Sequence, residues 1–424
     1  MEPIFHQSFF DVTKRCSRMT PEGQIGSGQF YLRRSFLLGA HFQGSHNMYK
    51  KIALAVSAAL LAGSAFASSV TLYGRIDTGL SYTHERVKTS EGTTTTTKSF
   101  SMDSGNSTGS RWGLKGVEEL GNGLKVGFVL ESGFSSDTGK GSVDGLFNRE
   151  SSISVSGSFG TVYAGRLNSL ISDAGSIGWY GAMASPFGTG WGRIGGHAEV
   201  FATQGRFNNT IAYMSPRFAG LQFSAQYSMG DDGAENTSKS NRYAALGLDY
   251  QAGNLEVGFL VDWLNKQTAG LADPSLRKDI DDAFTVNLAA NYDFGVLKAF
   301  AAAQYFKDTD KIGPWAMQEK GVLVPLKHEG FGVNLGVDVP LCGGNLMVSA
   351  GYADADADNV SGGSKYADRK SYYALAGYSY PFSKRTSVYV GGGYKAIESD
   401  YVAEGKNKAK NTIYQVMTGL VHKF

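Results

Sequence analysis

The sequence predicts an all-β fold, a 16-stranded antiparallel transmembrane β-barrel with an inward-folded third loop. Apolar and polar residues alternate with a period of two along many segments, and the connections alternate between short and long. The segment 411–424 continues the alternation up to the final Phe424. A barrel with a polar interior and a lipid-facing exterior requires this alternation, and an interfacial aromatic residue suits its last strand.

The beginning of the sequence resembles an export signal. Tyr49 and the basic residues Lys50 and Lys51 precede the apolar stretch 52–61, and Ala65-Phe66-Ala67 follows. This order of basic, apolar and small residues is typical of a secretory signal peptide, and the apolar stretch is too short for a spanning helix. We expect residues 48–67 to be the signal peptide, with Ala65 and Ala67 at its cleavage site.

The segments on either side of the signal follow from that assignment. Residues 1–47 show no periodic pattern and precede Met48, so we interpret them as an upstream extension, or else as a long signal region that is also removed. Residues 68–424 are expected to form the barrel. Because Cys16 lies in the discarded part, Cys342 is left alone and no internal disulfide is expected.

Composition agrees with an exported barrel. The chain has 56 Gly, 25 Phe and 22 Tyr but only 9 Pro, and its formal net charge is +2. This balance does not indicate a nucleic-acid partner.

Sixteen segments show strand-like alternation. In 221–229 every odd position is apolar and every even position is polar. The predicted strands are 69–82, 108–118, 123–133, 148–157, 161–167, 207–215, 220–229, 242–251, 255–264, 282–293, 297–306, 329–339, 345–353, 369–380, 386–397 and 411–424. Short turns such as 121–123 alternate with long connections such as 83–107 and 307–328, so the strand count is even and the lumen of sixteen strands is water-filled.

The longest connection, about 168–204, is unusually apolar. Its only charged residues are Asp173, Arg193 and Glu199, and it contains Phe187 among several other aromatic residues. A loop of this composition must pack against something. We expect it to fold into the lumen and form a constriction there; packing over the rim as an outer lid is the alternative.

Basic residues are expected to line the lumen. Strand parity turns Arg75, Arg111 and Lys115 inward, and Arg166 lies where a strand meets the long loop. Arg193 and Arg206 flank the end of that loop. Strict alternation places Arg149 on the outer face, so it points inward only if a bulge or a strand end intervenes.

Several motifs together resemble those of Gram-negative general porins of the beta-proteobacterial and neisserial type. They are 110–121 (SRWGLKGVEELG), 147–150 (FNRE), 159–166 (FGTVYAGR), 206–216 (RFNNTIAYMSP), 384–386 (KRT) and the terminal Phe424. The resemblance covers essentially all of 68–424. It implies a homotrimeric barrel that carries solutes by passive diffusion, with the third loop as its constriction.

The resemblance also implies roles for individual residues. Arg111, Arg149 and Arg193 match a basic wall, to which parity adds Arg75, Lys115 and Arg166. The constriction loop would contribute Asp173, Phe187 and Glu199. Stretch 185–190 (SPFGTG) lacks the acidic residues that enterobacterial members carry there, so we expect a preference for anions.

The resemblance implies partners as well. Phe424 and Tyr414 would serve assembly, through machinery that recognises the C-terminal strand, and the surroundings would be outer-membrane lipid and lipopolysaccharide. We expect no cofactor, no metal and no enzymatic activity. A solute-specific channel, an adhesin or receptor barrel, and a barrel hydrolase remain as alternatives.

Overall fold

The computed structural model describes residues 70–141, 145–188, 190–230, 240–266, 281–313, 318–319, 322–323, 326–359, 365–402 and 408–424. The predicted upstream extension and signal peptide, including Ala65 and Ala67, lie outside the described residues. No helix within the described ranges is long and apolar enough to cross a membrane.

Nearly all of the regular structure consists of strands. They are β1 (Thr71–Lys88), β2 (Thr94–Ser104), β3 (Arg111–Gly121), β4 (Leu124–Gly133), β5 (Glu150–Gly157), β6 (Gly160–Asn168), β7 (Arg206–Met214), β8 (Leu221–Ser228), β9 (Arg242–Ala252), β10 (Leu255–Asn265), β11 (Ala283–Asp293), β12 (Lys298–Thr309), β13 (Gln318–Glu319), β14 (Val322–Leu323), β15 (Leu326–Leu341), β16 (Gly344–Asn359), β17 (Lys365–Pro381), β18 (Thr386–Tyr401) and β19 (Ala409–Lys423). Between β6 and β7 lie a short helix, α1 (Tyr180–Ala184), and a 3-10 turn (His197–Glu199).

The strands close into an antiparallel barrel of sixteen strand positions. Each strand pairs with the next around the sheet, and β19 pairs with β1 to complete the circle. β2 and β3 share one position, because β3 pairs with the first part of β1 and β2 with the rest. The short hairpin of β13 and β14 forms a separate sheet. The predicted strand number is therefore confirmed.

Two predicted connections are more regular than the sequence suggested. Region 83–107 is largely an extension of β1 and β2, whose register runs from Thr78 opposite Ser104 to Lys88 opposite Thr94. Its many β-branched threonines favour this ladder over an irregular loop. Region 307–328 likewise includes the end of β12, the short hairpin and the start of β15.

The two faces of the barrel follow the alternation. On β9, Tyr243 and Ala245 are buried, whereas Leu246 and Leu248 are 45% and 44% exposed. The other strands repeat this pattern with exposed apolar side chains outside and small or polar ones inside. Exposed apolar residues on an outer face suit contact with lipid chains.

The closing seam ends at Phe424. Its backbone exchanges two hydrogen bonds of 3.1 Å with Gly74 on β1, and its ring packs against the same glycine. Tyr414, further along β19, is 55% exposed and packs on the outer face against Tyr394, with ring centroids 4.7 Å apart. Phe424 thus completes the pairing between the first and last strands.

Deleting Phe424 should lower the yield of folded protein. The deletion removes both backbone hydrogen bonds to Gly74 and leaves the seam open at its end, where an unpaired edge in lipid is costly. The measurement is the folded, heat-modifiable fraction on electrophoresis, with Phe424→Tyr as the control that keeps an aromatic ring. Equal yields for the wild type and the deletion would contradict this role.

Candidate functional site

The segment 169–205, hereafter the β6–β7 loop, packs against the inner face of the barrel. Trp179 donates through Nε1 to Ser224 Oγ on β8 (3.2 Å), and Tyr180 donates through its hydroxyl to the carbonyl of Leu288 on β11 (3.1 Å). The carbonyl of Ala184 accepts a hydrogen bond from Asn334 on β15 (2.9 Å). The first half of the loop is therefore attached along strands β8 to β15.

The second half of the loop contacts β19 near its middle and β12 at its end. The backbone amide of Arg193 donates to Gln415 Oε1 on β19 (2.7 Å), and the amide of Gly192 donates to the carbonyl of Asn106 (2.7 Å). Ala202 then pairs with the side-chain amide of Gln304 on β12 in both directions, at 2.6 and 3.1 Å. The backbone amide of Ser176, in the first half of the loop, also donates to Glu150 Oε2 at the start of β5 (2.9 Å).

A buried ion pair holds the end of the loop. Glu199 Oε2 lies 2.7 Å from Lys395 Nζ on β18, and the two side chains are 6% and 2% exposed. Lys395 also donates to the carbonyl of Arg193, and Ser371 donates to the carbonyl of Glu199. Burial raises the pKa of the Glu199 carboxyl from 4.5 to about 7, although Lys395 opposes the shift. Glu199 thus attaches the end of the loop to β18.

The wall formed by β1 and β3–β7 carries clustered arginines. Glu131 Oε1 on β4 lies 2.6 Å from Arg149 Nε and 3.6 Å from Arg111 Nη1. One carboxylate thus holds two arginines. Tyr73 donates to the other oxygen of Glu131 (3.0 Å), and Lys115 Nζ lies 5.1 Å from the centre of the Tyr73 ring.

A third arginine is held by neutral groups beside this pair. Arg75 Nη1 and Arg111 Nη2 both donate to Thr108 Oγ1, each at 3.0 Å. Thr108 is fixed in turn by the buried Asp77, whose Oδ2 accepts from the backbone amides of Ser107 and Thr108 at 2.8 Å. Arg75 and Arg111 are therefore held next to each other despite their like charge.

Two further arginines extend the cluster. Arg166 donates to the carbonyl of Asn148 (2.7 Å) and to Asn208 Oδ1 (2.5 Å), and Arg206 donates to the carbonyl of Arg149 (2.9 Å). A cavity of about 320 Å³ opens beside these two guanidinium groups. In the described part of the chain, Arg75, Arg166 and Arg206 have only neutral hydrogen-bond partners.

The structure thus brings together five of the six basic residues predicted for the wall, namely Arg75, Arg111, Lys115, Arg149 and Arg166. Arg149 contacts the inner cluster because it lies one residue before β5 begins, where strand parity no longer applies. We call Arg75, Arg111, Arg149, Arg166 and Arg206 the arginine cluster.

Arg193 does not join the arginine cluster. Its guanidinium pairs with Glu85 Oε2 on β1 at 2.9 Å, in the part of β1 that pairs with β2. Arg206, which was not among the predicted wall residues, is in the cluster instead. The signal for Arg206 was its place in the RFNN motif at the start of β7.

The three loop residues predicted for the constriction differ in position. Asp173 is exposed, and its carboxylate lies beside Gly188. Phe187 is buried and packs edge-on against Trp191, with centroids 5.2 Å apart. Glu199 is paired and buried, whereas Asp173 is exposed.

Comparisons with known proteins identify the family. A family model described as Gram-negative porin matches residues 53–400. An outer membrane porin protein of Bordetella pertussis is 35% identical over 407 residues, which cover 87% of this chain and 99% of that protein. The major outer membrane protein P.IB of Neisseria lactamica is 29% identical and covers 88% of this chain and 100% of its own length.

A solved structure shows the same fold. The anion-selective porin from Comamonas acidovorans is 26% identical, with a TM-score of 0.61 over 84% of this chain and 100% of that one. The closed barrel of sixteen strand positions and the family match over most of the sequence lead to one assignment. This chain belongs to the Gram-negative porin family and is a β-barrel protein of the bacterial outer membrane.

Proposed function

We propose that this porin forms a water-filled channel for passive diffusion of small hydrophilic solutes and ions, and that it favours anions. The arginine cluster carries the proposal. It lies on β1 and β3–β7, whereas most contacts of the β6–β7 loop are with β8–β12 and β15–β19. The loop touches the wall of the cluster at Ser176, which donates to Glu150, and at Arg193, which pairs with Glu85. The loop would therefore narrow the lumen against the cluster, and solutes would pass between the two.

The charge balance at this place favours anions. Two further carboxyl groups lie near the cluster, but Asp77 and Glu150 are buried at 0% and 2% exposure. Asp77 accepts from backbone amides, and Glu150 accepts from the hydroxyls of Ser152 and Ser176. Glu131 is shared between two arginines. The basic groups, with Lys115 beside them, thus outnumber the acids.

The size of the effect follows from electrostatics. A unit charge about 4 Å from another contributes roughly 4 kcal/mol at an effective dielectric constant near 20. A narrow passage with low-dielectric walls concentrates the field and raises the local concentration of anions. Salt screens such fields over about 8–10 Å, so the preference should be strongest at low ionic strength.

The proposal includes the surroundings of the barrel. We infer a homotrimer that contacts outer-membrane lipid and lipopolysaccharide through its exposed apolar side chains. The C-terminal strand with Phe424 and Tyr414 would be recognised by the assembly machinery. Residues 48–67 would direct export and be removed together with 1–47, which leaves 68–424 as the mature barrel.

A hydrolase is not favoured by the contacts of His197, His328 and His422. His197 contacts the carbonyl of Gly188, and His328 contacts the carbonyl of Thr309 and the Arg369 guanidinium. His422 contacts a threonine hydroxyl, that of Thr386, at 2.9 Å. Nucleophilic hydrolysis requires an activated nucleophile next to such a base and a group that orients the base. The channel is therefore the function that these contacts support best.

Liposome swelling should test the channel. Vesicles that contain the folded porin should swell in an isotonic neutral pentose, and faster in a small carboxylate than in an ammonium compound of similar size. Vesicles with heat-denatured protein are the control. Absence of swelling in every solute would remove the channel function, and faster uptake of the cation would remove the anion preference.

A further inference from the structure

Three bulky parts of the β6–β7 loop lie against glycines on the inner face of the barrel. In each case two glycines on neighbouring strands leave room where side chains would otherwise project into the lumen. We call each pair of glycines a socket. The sockets are Gly247 and Gly258 on β9 and β10, Gly377 and Gly391 on β17 and β18, and Gly332 and Gly351 on β15 and β16.

The first socket receives Trp179. A Cβ atom at Gly258 would lie 2.6 Å from Trp179 Cζ3 and 2.7 Å from Met183 Sδ, and one at Gly247 would lie 2.8 Å from Trp179 Cζ2. These separations are shorter than van der Waals contact. The indole therefore occupies the volume that a side chain at either position would need.

The second socket receives Trp191 together with Phe187. A Cβ atom at Gly377 would lie 2.7 Å from Trp191 Cζ3 and 3.0 Å from Phe187 Cε1, and Gly391 is the direct cross-strand partner of Gly377. Trp191 also packs against Tyr389, with ring centroids 5.3 Å apart. The indole is 6% exposed, so it is almost fully enclosed by the wall and its own loop.

The third socket receives Val200 and Phe201. A Cβ atom at Gly332 would lie 2.8 Å from Phe201 Cδ1, and one at Gly351 would lie 2.8 Å from Val200 Cγ2. Both side chains are fully buried. The three sockets thus hold the loop near its start, its middle and its end.

The second socket lies next to the approach of the loop to the arginine cluster. Gly192 follows Trp191 and donates its amide to the carbonyl of Asn106. Asn106 belongs to the same short segment as Thr108, which holds Arg75 and Arg111. A shift of Trp191 would therefore change the spacing between the loop and the cluster.

We infer that the glycine sockets position the β6–β7 loop, and that the Trp191 socket sets the width of the pore beside the arginine cluster. This inference rests on the proposed channel function. Gly258, Gly332 and Gly377 show it most clearly, because for each of them the three nearest atoms to an added Cβ all belong to the loop. The absence of a side chain at these positions thus makes room for loop side chains and is not required for packing between the strands.

Single-channel recording of Gly377→Val and Gly258→Val tests the inference. The added side chains should push the loop into the lumen, which lowers the conductance and excludes polyethylene glycols that enter the wild-type pore. The matched control is Gly116→Val on the outer face, where a Cβ would meet the ring of Phe128 at 2.6 Å with no loop nearby. Gly116→Val should keep the wild-type conductance and size limit.

Trp191→Ala provides a second variant, because it empties the socket without adding volume to any strand. It should fold and should show frequent transitions between conductance levels, since the middle of the loop is released. Wild-type conductance and steady current in both Gly377→Val and Trp191→Ala would overturn the inference. A wild-type protein that forms no channel would instead overturn the proposed function.

Discussion

Replacing Arg111 and Arg149 together by serine is expected to reduce the anion preference strongly. Both guanidinium groups pair with Glu131, which is 7% exposed. Removing them leaves this carboxylate with the Tyr73 hydroxyl as its remaining donor. The local positive field then weakens at the place where the loop faces the wall, where Arg75, Arg166, Arg206 and Lys115 remain.

The measurement is the reversal potential in a KCl gradient for the wild type and the double variant. The matched control is Lys384→Ser with Arg385→Ser, which removes two exposed basic residues from the turn between β17 and β18. The control should keep the wild-type potential. If the Arg111 and Arg149 double variant also kept the wild-type potential while remaining folded, these arginines would not form the filter.

Lys395→Met is expected to be strongly destabilising. It leaves Glu199 buried without its cation, and breaking a buried ion pair from one side typically costs about 3–5 kcal/mol. Lys395→Met combined with Glu199→Gln removes both charges, so it should recover much of the lost stability. The midpoint of heat-induced unfolding in detergent compares the two variants with the wild type.

The loss in Lys395→Met should depend on pH. The pKa of Glu199 in the folded protein is raised to about 7 from an ordinary value of 4.5, and the loss of Lys395 should raise it further. A group with a raised folded pKa contributes stability below its unfolded pKa, and that contribution is lost as pH rises through the folded value. The deficit should therefore be largest above pH 7 and smallest near pH 4.5. A deficit independent of pH would show that the carboxyl of Glu199 is not its cause.

The strands, and which of their side chains point into or out of the barrel, could be predicted from the sequence because both depend on local alternation. Arg75, Arg111 and Lys115 lie on regular strands, so parity alone placed them inside the barrel. Strand parity gave the wrong face for Arg149 because this residue precedes β5 by one position. Only the sequence motif indicated that its side chain joins the inner cluster. The first long connection was mistaken for a loop because its sequence is mostly threonine, serine and charged residues, which give little apolar alternation.

The path of the β6–β7 loop could not be predicted from the sequence in the same way. Its apolar composition indicated that it packs on something, but its contacts join residues far apart in the chain, such as Glu199 with Lys395 and Arg193 with Glu85. For this reason Arg193 was expected in the cluster and Glu199 at the constriction. The glycine sockets are equally non-local, since a glycine in a strand does not reveal which side chain fills its space.

The reversal potential of the wild-type porin tests the central claim most directly. A planar bilayer with a KCl gradient at low ionic strength measures the ratio of chloride to potassium permeability. The arginine cluster predicts a reversal potential shifted towards the chloride equilibrium potential. The shift should decrease towards zero as the salt concentration on both sides is raised. A reversal potential shifted towards the potassium equilibrium potential at low salt would contradict the account.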